Sequence, residues 1–228
     1  VNINEETSNL TKIGDYAFAN ASKLKIINFP RKLESIGERA FLSDSAFVGT
    51  PKIPESLTEI GFYAFYGTGC NKKAVWGFNV AYSYEGEGYA KWLLTASVSQ
   101  QTANFFIEKN TIGIAGGACW GFGGNLIGQL QLGSTDNRTL KYIGGGAFNN
   151  DSISSIVGLD QTQVKKIEEG AFYNCSSLSG AIRLPNTIES IGYRAFLNTA
   201  ISSLAIDQDT TRTTKCTIGQ EAFLNCSS

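Results

Sequence analysis

The feature that most restricts this chain is a phrase it repeats. "GYRAF" stands at residues 192–196 after "IESI", "GERAF" at 37–41 after "LESI", and "GFYAF" at 61–65 after "LTEI". Aligned on that phrase, a leading Ile falls at Ile13, Ile36, Ile60, Ile114, Ile143, Ile167, Ile191 and Ile218. Four residues after each comes Ala, from Ala17 to Ala222. The next residue is Phe18, Phe41, Phe65, Phe148, Phe172, Phe196 or Phe223, with Cys119 the one exception. The step is 23 or 24 residues where the copies are tidy. A fixed period of roughly 20–29 residues marks a solenoid, in which each copy stacks only on its neighbours.

Each position has a physical reason. The Ile faces inward, the Gly after it permits a tight turn, and the two letters that follow face solvent and vary. Ala is small because a neighbouring coil lies close, and Phe fills the core. Stacked Phe rings predict a spine in which truncation to Ala costs about 3–5 kcal/mol. Asn20, Asn150, Asn174, Asn198 and Asn225 stand two residues past the Phe, where a short amide caps turning backbone. Between the phrases, "LKIINFP" (24–30), "FVGTPKIP" (47–54), "LIGQLQL" (126–132), "LSGAIRLP" (178–185) and "ISSLAID" (201–207) end on the alternation of a half-buried strand. Pro30, Pro54 and Pro185 end such strands because Pro cannot donate to the next rung.

These residues carry a resemblance. The pattern LxxIxLP–LxxIGxxAFxxC resembles the repeat of the BspA-like leucine-rich repeat family, and "LPNTIESIGYRAFLNTAISSLAI" (184–206) matches it nearly letter for letter. The likeness covers roughly 10–65 and 105–226. It implies an α/β, β-rich fold: a right-handed leucine-rich solenoid with a parallel β-sheet on one face and short turns or helical pieces on the other. It also implies a bacterial surface or secreted protein, since some members are described as adhesins for host proteins.

Composition narrows the chemistry. Hydrophobic residues make up 42% and charged residues 17%, so the chain can bury a core. A net charge of −1 argues against a nucleic-acid partner, which needs clustered Lys and Arg. No run approaches the roughly 18 apolar residues that span a bilayer. With no His there is no Ser-His-Asp or Cys-His pair and no imidazole metal ligand, and the five Cys form no CxxC pair. No cofactor or metal is expected. Cys119, Cys175 and Cys226 fall on the ladder and are expected reduced and buried, while Cys70 and Cys216 lie off it and leave one disulfide open. A chain that opens at Val1, holds no Met and stops at "LNCSS" before its next strand is expected to be a piece of a longer precursor.

The pattern breaks once. Residues 1–228 read as a single solenoid domain with an irregular repeat or insertion at about 66–104. Its segment "AVWGFNVAYSYEGEGYAKWLLTASV" (74–98) holds Trp76, Phe78, Tyr82, Tyr84, Tyr89 and Trp92. One reading makes it a repeat whose core was rebuilt with aromatics. The other makes it a hairpin that presents those six residues to a ligand, with Gly86 and Gly88 letting the tip bend outward. On a strand, Glu85 and Glu87 would share one side, about 7 Å apart, a spacing compatible with inverting glycoside hydrolysis. An acidic turn is the plainer reading. "GGACWGFGGNLIG" (116–128) lacks the frame of a nucleotide loop, and its glycines are expected to let coils approach closely.

The sequence therefore points to a noncatalytic interaction or adhesion module that binds a protein or glycan at or outside a bacterial cell. Two alternatives stand beside it: a structural spacer of a larger surface protein, and a glycan-acting enzyme. An exposed aromatic patch favours binding over the spacer, and a cleft holding a carboxyl group of raised pKa favours the enzyme.

Overall fold

The computed structural model describes residues 5–25, 28–70, 72–75, 78–98, 100–120, 122–206 and 215–227. The chain winds as a β-solenoid, and the one helical piece among the described residues is the 3-10 turn Leu159–Gln161. Each leading Ile ends a short strand, and within each of two runs these strands pair in parallel at the same position. Ile13 lies beside Ile36 and Ile36 beside Ile60; Ile114, Ile143, Ile167, Ile191 and Ile218 form a second run. A second row of parallel pairing comes from the alternating segments. Leu126–Gln131 lies between Thr102–Phe106 and Ser155–Val157, and Ser179–Leu184 pairs with Ala200–Ile206. Of 47–54, only Val48–Gly49 is a strand, and the described part of 24–30 is none.

The phrase itself folds as turns, and its amides alternate between two jobs. Tyr16, Phe18 and Asn20 N–H groups donate to the Glu38, Ala40 and Leu42 carbonyls of the next coil, at 2.7–2.8 Å. The Ala17, Ala19 and Ala21 amides close turns onto Gly14, Tyr16 and Phe18 within the coil. That alternation requires left-handed backbone at two fixed places. Three residues after the Ile, Tyr16, Arg39, Tyr63, Gly117, Gly146, Gly170, Arg194 and Glu221 all have φ of 52–65°. The Asn position is the other, with Asn20, Asn150, Asn174, Asn198 and Asn225 at 56–60°. Asn tolerates that conformation better than most residues. Its side chains also form a ladder: Asn174 donates to Asn150 (3.1 Å), Asn198 to Asn174 (2.6 Å) and Asn225 to Asn198 (2.9 Å).

The Gly after the Ile has a different reason from the one expected. It is not at positive φ; the coils simply touch there. A Cβ on Gly61 would lie 2.6 Å from the Gly37 carbonyl carbon, and one on Gly192 would lie 2.5 Å from the Glu169 amide nitrogen. Gly14, with no coil beneath it, has nothing within 4 Å. Gly116 and Gly128 of the Gly-rich stretch serve close approach in the same way, whereas Gly123 and Gly124 serve turns at φ 55° and 81°.

The Phe spine forms in two runs. Phe18, Phe41 and Phe65 stack with ring centroids 5.4 Å apart, and Phe148, Phe172, Phe196 and Phe223 stack at 5.1–5.3 Å. Between them sits a wedge. Tyr63 N–H still reaches the Gly116 carbonyl at 3.0 Å, so the Ile60 and Ile114 coils meet at the start of the phrase. Further along, Ala118 accepts from Ala96 of an inserted strand instead. That strand, Lys91–Val98, runs parallel to Thr111–Ile114 and antiparallel to Phe78–Tyr82, which pairs with Lys73–Val75. A ring cluster of Phe78, Phe105 and Phe122, with centroids 4.7–5.2 Å apart, fills the core near Cys119.

The residue three after the Phe forms a buried polar column beside the spine at Asp44, Thr68, Asp151, Cys175 and Thr199. Thr68 and Thr199 hydroxyls donate to the Phe65 and Phe196 carbonyls, and the Cys175 thiol donates to the Phe148 carbonyl at 3.0 Å. Asp151 stands in the same column beside the Gly124 amide, with neither carboxylate oxygen hydrogen-bonded. Burial pushes its pKa up to about 8. All five Cys are free, so Cys70 and Cys216 form no disulfide. Cys119 and Cys175 are buried as expected, but Cys226, on the last coil, is only partly covered.

Candidate functional site

The hairpin is real, and most of its described aromatics face inward. Phe78 and Trp92 are about 1% exposed, and Tyr82 is 8% exposed, its hydroxyl accepting from the Glu108 amide at 3.2 Å. Trp92 stacks on Tyr142 at 5.8 Å, across a Gly113 whose missing side chain leaves room: a Cβ there would lie 2.4 Å from the indole. Trp76 lies outside the described residues. Replacing Tyr82 therefore disrupts packing, and of the six expected residues Tyr84 and Tyr89 remain at the surface.

The tip does not bend outward. Tyr84 and Ala90 amides donate to the Pro51 and Ile53 carbonyls, both at 2.8 Å. Arg31 donates to the Gly88 carbonyl at 3.0 Å and lies over the Tyr89 ring at 4.2 Å, while the Tyr89 hydroxyl reaches Glu5 at 2.7 Å. The neck is closed by Ser83, whose hydroxyl accepts from the Trp92 amide and donates to the Ala90 carbonyl. Glu85 and Glu87 sit on the turn beyond Tyr82 rather than on a strand. Glu85 accepts from Asn110 at 2.7 Å and pairs with Lys91 at 3.4 Å, so it is committed to holding the loop.

A larger aromatic surface lies on the turns, where sequence reasoning expected only variable polar letters. Tyr16, Tyr66 and Trp120 are 54%, 45% and 38% exposed. Tyr63 joins the last two, with ring centroids 5.2 Å from Tyr66 and 5.4 Å from Trp120. Arg39 lies over Tyr16, Phe62 and Tyr63 at 5.5–5.9 Å and donates to the Tyr16 hydroxyl at 2.7 Å. Tyr16, Arg39 and Tyr63 occupy the left-handed position that three other coils fill with Gly. A side chain there costs about 1 kcal/mol relative to Gly, which the fold does not require. The available signal was the contrast between Tyr or Arg in some copies and Gly at the same place in others.

Behind this ridge is a cleft of about 580 Å³, where the two runs of Ile strands approach each other. Gly144, Gly145 and Gly146 leave its floor bare, and Phe62, Tyr142 and Tyr173 line it. Glu168 enters it because it stands where most copies have Gly. Burial holds its carboxyl above the usual range; Lys166 opposes that shift and the nearby Glu59 adds to it. A carboxyl of this kind is one mark of catalysis, yet no side-chain hydrogen bond orients Glu168 or Glu59 among the described residues, and catalysis needs positioned groups.

No curated protein sequence matches the chain. Among solved structures it is similar to a leucine-rich repeat protein from Bacteroides ovatus, at 21% identity and TM-score 0.39 over 94% of this chain and 50% of that one. It is similar to a leucine rich cell surface protein from Faecalibacterium prausnitzii, at 21% and 0.39, over 91% and 60%. It is also similar to the pneumococcal vaccine antigen PcpA, at 22% and 0.45, over 96% and 53%. The chain thus spans half to three-fifths of those proteins, and likeness at such scores is weak. The repeat match is not weak: the BspA type leucine rich repeat region is found in six copies, over residues 2–79 and 130–228. The chain belongs to the BspA-type leucine-rich repeat family.

Proposed function

We propose that this chain is a noncatalytic interaction module of a bacterial surface or secreted protein, and that it binds a protein or glycan partner through the aromatic ridge. The observation that carries this is Arg39 set among Tyr16, Phe62 and Tyr63, beside exposed Tyr66 and Trp120. Trp, Tyr and Arg dominate binding hot spots because they give large contact area with few rotors to freeze. The presence of Tyr16, Arg39 and Tyr63 at backbone positions that favour Gly supports selection for the surface rather than for the fold. Tyr84 and Tyr89 offer a second, smaller patch with Lys52 above both rings at 5.3–5.5 Å.

The test is a binding array of extracellular-matrix proteins and glycans, probed with the native chain and with a variant carrying Tyr16→Ser, Tyr66→Ser and Trp120→Ser. All three side chains are exposed, so the melting temperature should hold while captured binding drops at least tenfold. Binding that survives the triple substitution, or an array on which the native chain captures nothing, would sink the reading.

A further inference from the structure

A regular coil uses one face for the coil before it and the other for the coil after it. In the coil at Ile191, the Arg194, Phe196 and Asn198 amides donate onward to the Gln220, Ala222 and Leu224 carbonyls at 2.8–3.2 Å. The Gly219 amide donates back to the Ile191 carbonyl at 2.8 Å. The coil at Ile218 has the same groups and nothing to give them to. Among the described residues its Glu221, Phe223 and Asn225 amides have no acceptor, and its Ile218 carbonyl has no donor. Ile218 is 54% exposed, whereas Ile143, Ile167 and Ile191 are buried.

The coil at Ile13 presents the complement. Glu38, Ala40 and Leu42 accept from the coil before them, and the equivalent carbonyls of the first coil are Asp15, Ala17 and Ala19. Among the described residues these three have no donor, and the Gly14 amide has no acceptor. Ala17 is exposed where Ala40, Ala147, Ala171 and Ala195 are fully buried. Gly14 has nothing within 4 Å, where a Cβ on Gly61, Gly192 or Gly219 would meet backbone at 2.5–2.7 Å. The ladders are cut at both faces too. Lys12–Ile13 and Thr217–Ile218 are edge strands, each paired on one side. Phe18 stacks on Phe41 from one side, Phe223 stacks on Phe196 from one side, and both rings are half-buried. Asn225 gives its amide nitrogen to Asn198 and keeps its oxygen open, and the Asn20 side chain has no partner.

We propose that these two faces bind each other: the last coil of one copy of this chain seats the first coil of a second copy, head to tail. The Glu221, Phe223 and Asn225 amides then meet the Asp15, Ala17 and Ala19 carbonyls, and the Gly14 amide meets the Ile218 carbonyl. The Ile13 strand extends the Ile218 strand, and Phe18 continues the spine from Phe223. Open sheet edges and uncapped repeats are the parts of such a fold that recruit another chain. A foreign strand could pair with the Thr217–Ile218 edge, but it would not also bring alternate turn carbonyls behind a bare Gly and a small Ala. The contact is heterologous, so every copy keeps one free face and the assembly grows as a filament instead of closing as a dimer. The seam is one coil wide, which makes it weak. It uses the ends of the stack and goes beyond the ridge, which neither supplies nor needs it.

Sedimentation velocity of the full chain at concentrations up to about 1 mM tests it. The weight-average sedimentation coefficient should rise with concentration and pass the dimer value without levelling there. Gly14→Ala with Ala17→Lys should keep the chain monomeric at an unchanged melting temperature, because both positions are open in a single copy and closed only in the joined one. The same variant, fluorescently labelled, should sediment faster once unlabelled native chain is added, since its last coil still works. Tyr66→Ser with Trp120→Ser should leave self-association as it was. Four results would overturn the proposal: a native chain that stays monomeric, association that survives Gly14→Ala with Ala17→Lys, a labelled variant that native chain does not speed up, or association lost with Tyr66→Ser and Trp120→Ser. The ridge is judged separately, by capture on the binding array.

Discussion

The coils at Ile143, Ile167, Ile191 and Ile218 and the wedge at 73–98 solve the same problem differently. In the coils the repeated Ile, Phe and Asn meet their own kind. Ile lies beside Ile, Phe stacks on Phe at 5.1–5.3 Å, and Asn donates to Asn at 2.6–3.1 Å. In the wedge Leu93 still lies beside Ile114, but Phe78–Tyr82 runs antiparallel to its neighbours and the packing partners come from elsewhere in the chain. Trp92 stacks on Tyr142 across Gly113, and Phe78 packs on Phe105 and Phe122. Both regions are buried. The difference is whether one period in the sequence already names the contact, and only in the coils does it.

Three measurements would break or sharpen that contrast. The largest effect should come from Asp151, which shares the column with Asp44, Thr and Cys and is the acid in it whose pKa burial raises furthest. Its folded pKa of about 8 lies above the ordinary 3.8, so the folded state keeps a proton that the unfolded chain has released. That stability is fully present below about pH 4 and is lost as pH rises to about 8. The swing is at most about 6 kcal/mol, taking roughly 1.4 kcal/mol per pKa unit. Denaturation midpoints measured from pH 4 to 8 should fall in the native chain and fall much less in Asp151→Asn. Parallel curves for the two would mean that the column is wet.

Next comes the spine. Phe172→Ala, between two stacked rings, should lose about 3–5 kcal/mol by urea unfolding, whereas Phe18→Ala, stacked on one side and partly exposed, should lose distinctly less. Equal losses would show that the rings do not act through their neighbours. The smallest effect concerns two glycines. Gly113→Ala drives a Cβ into the Trp92 ring and should cost about 1–3 kcal/mol. Gly14→Ala meets nothing and should stay within about 0.5 kcal/mol. If Gly14→Ala is as damaging as Gly113→Ala, close approach is not what keeps the glycines.

For the candidate site, legibility followed the same division. The six aromatics of 74–98 were visible as a cluster, but their direction was not. A period of two along Phe78–Tyr82 and Lys91–Val98 says which residues share a face only when the other face is exposed, and here both faces are covered in part. The ridge was hidden for the opposite reason. Tyr16, Arg39, Tyr63, Tyr66 and Trp120 are scattered over more than 100 residues and fall at positions that vary freely in any one copy.

The sequence by itself determined the coil: its length, the inward Ile, Ala and Phe, and the Asn that turns the backbone, because those contacts recur between equivalent positions one period apart. The left-handed residue three after each Ile was also written there, as Gly in three copies, though only the backbone shows that Tyr, Arg and Glu adopt it too. Tertiary structure alone decided where the stack is interrupted and what the interruption creates. The wedge separates two runs of coils, and the cleft that brings Glu59 near Glu168 joins residues that no single period relates. Periodic contacts are local in the repeat and can be read from spacing. Contacts across the break depend on how two stacks meet, which is set by the summed packing of Trp92, Tyr142 and the bare glycines between them.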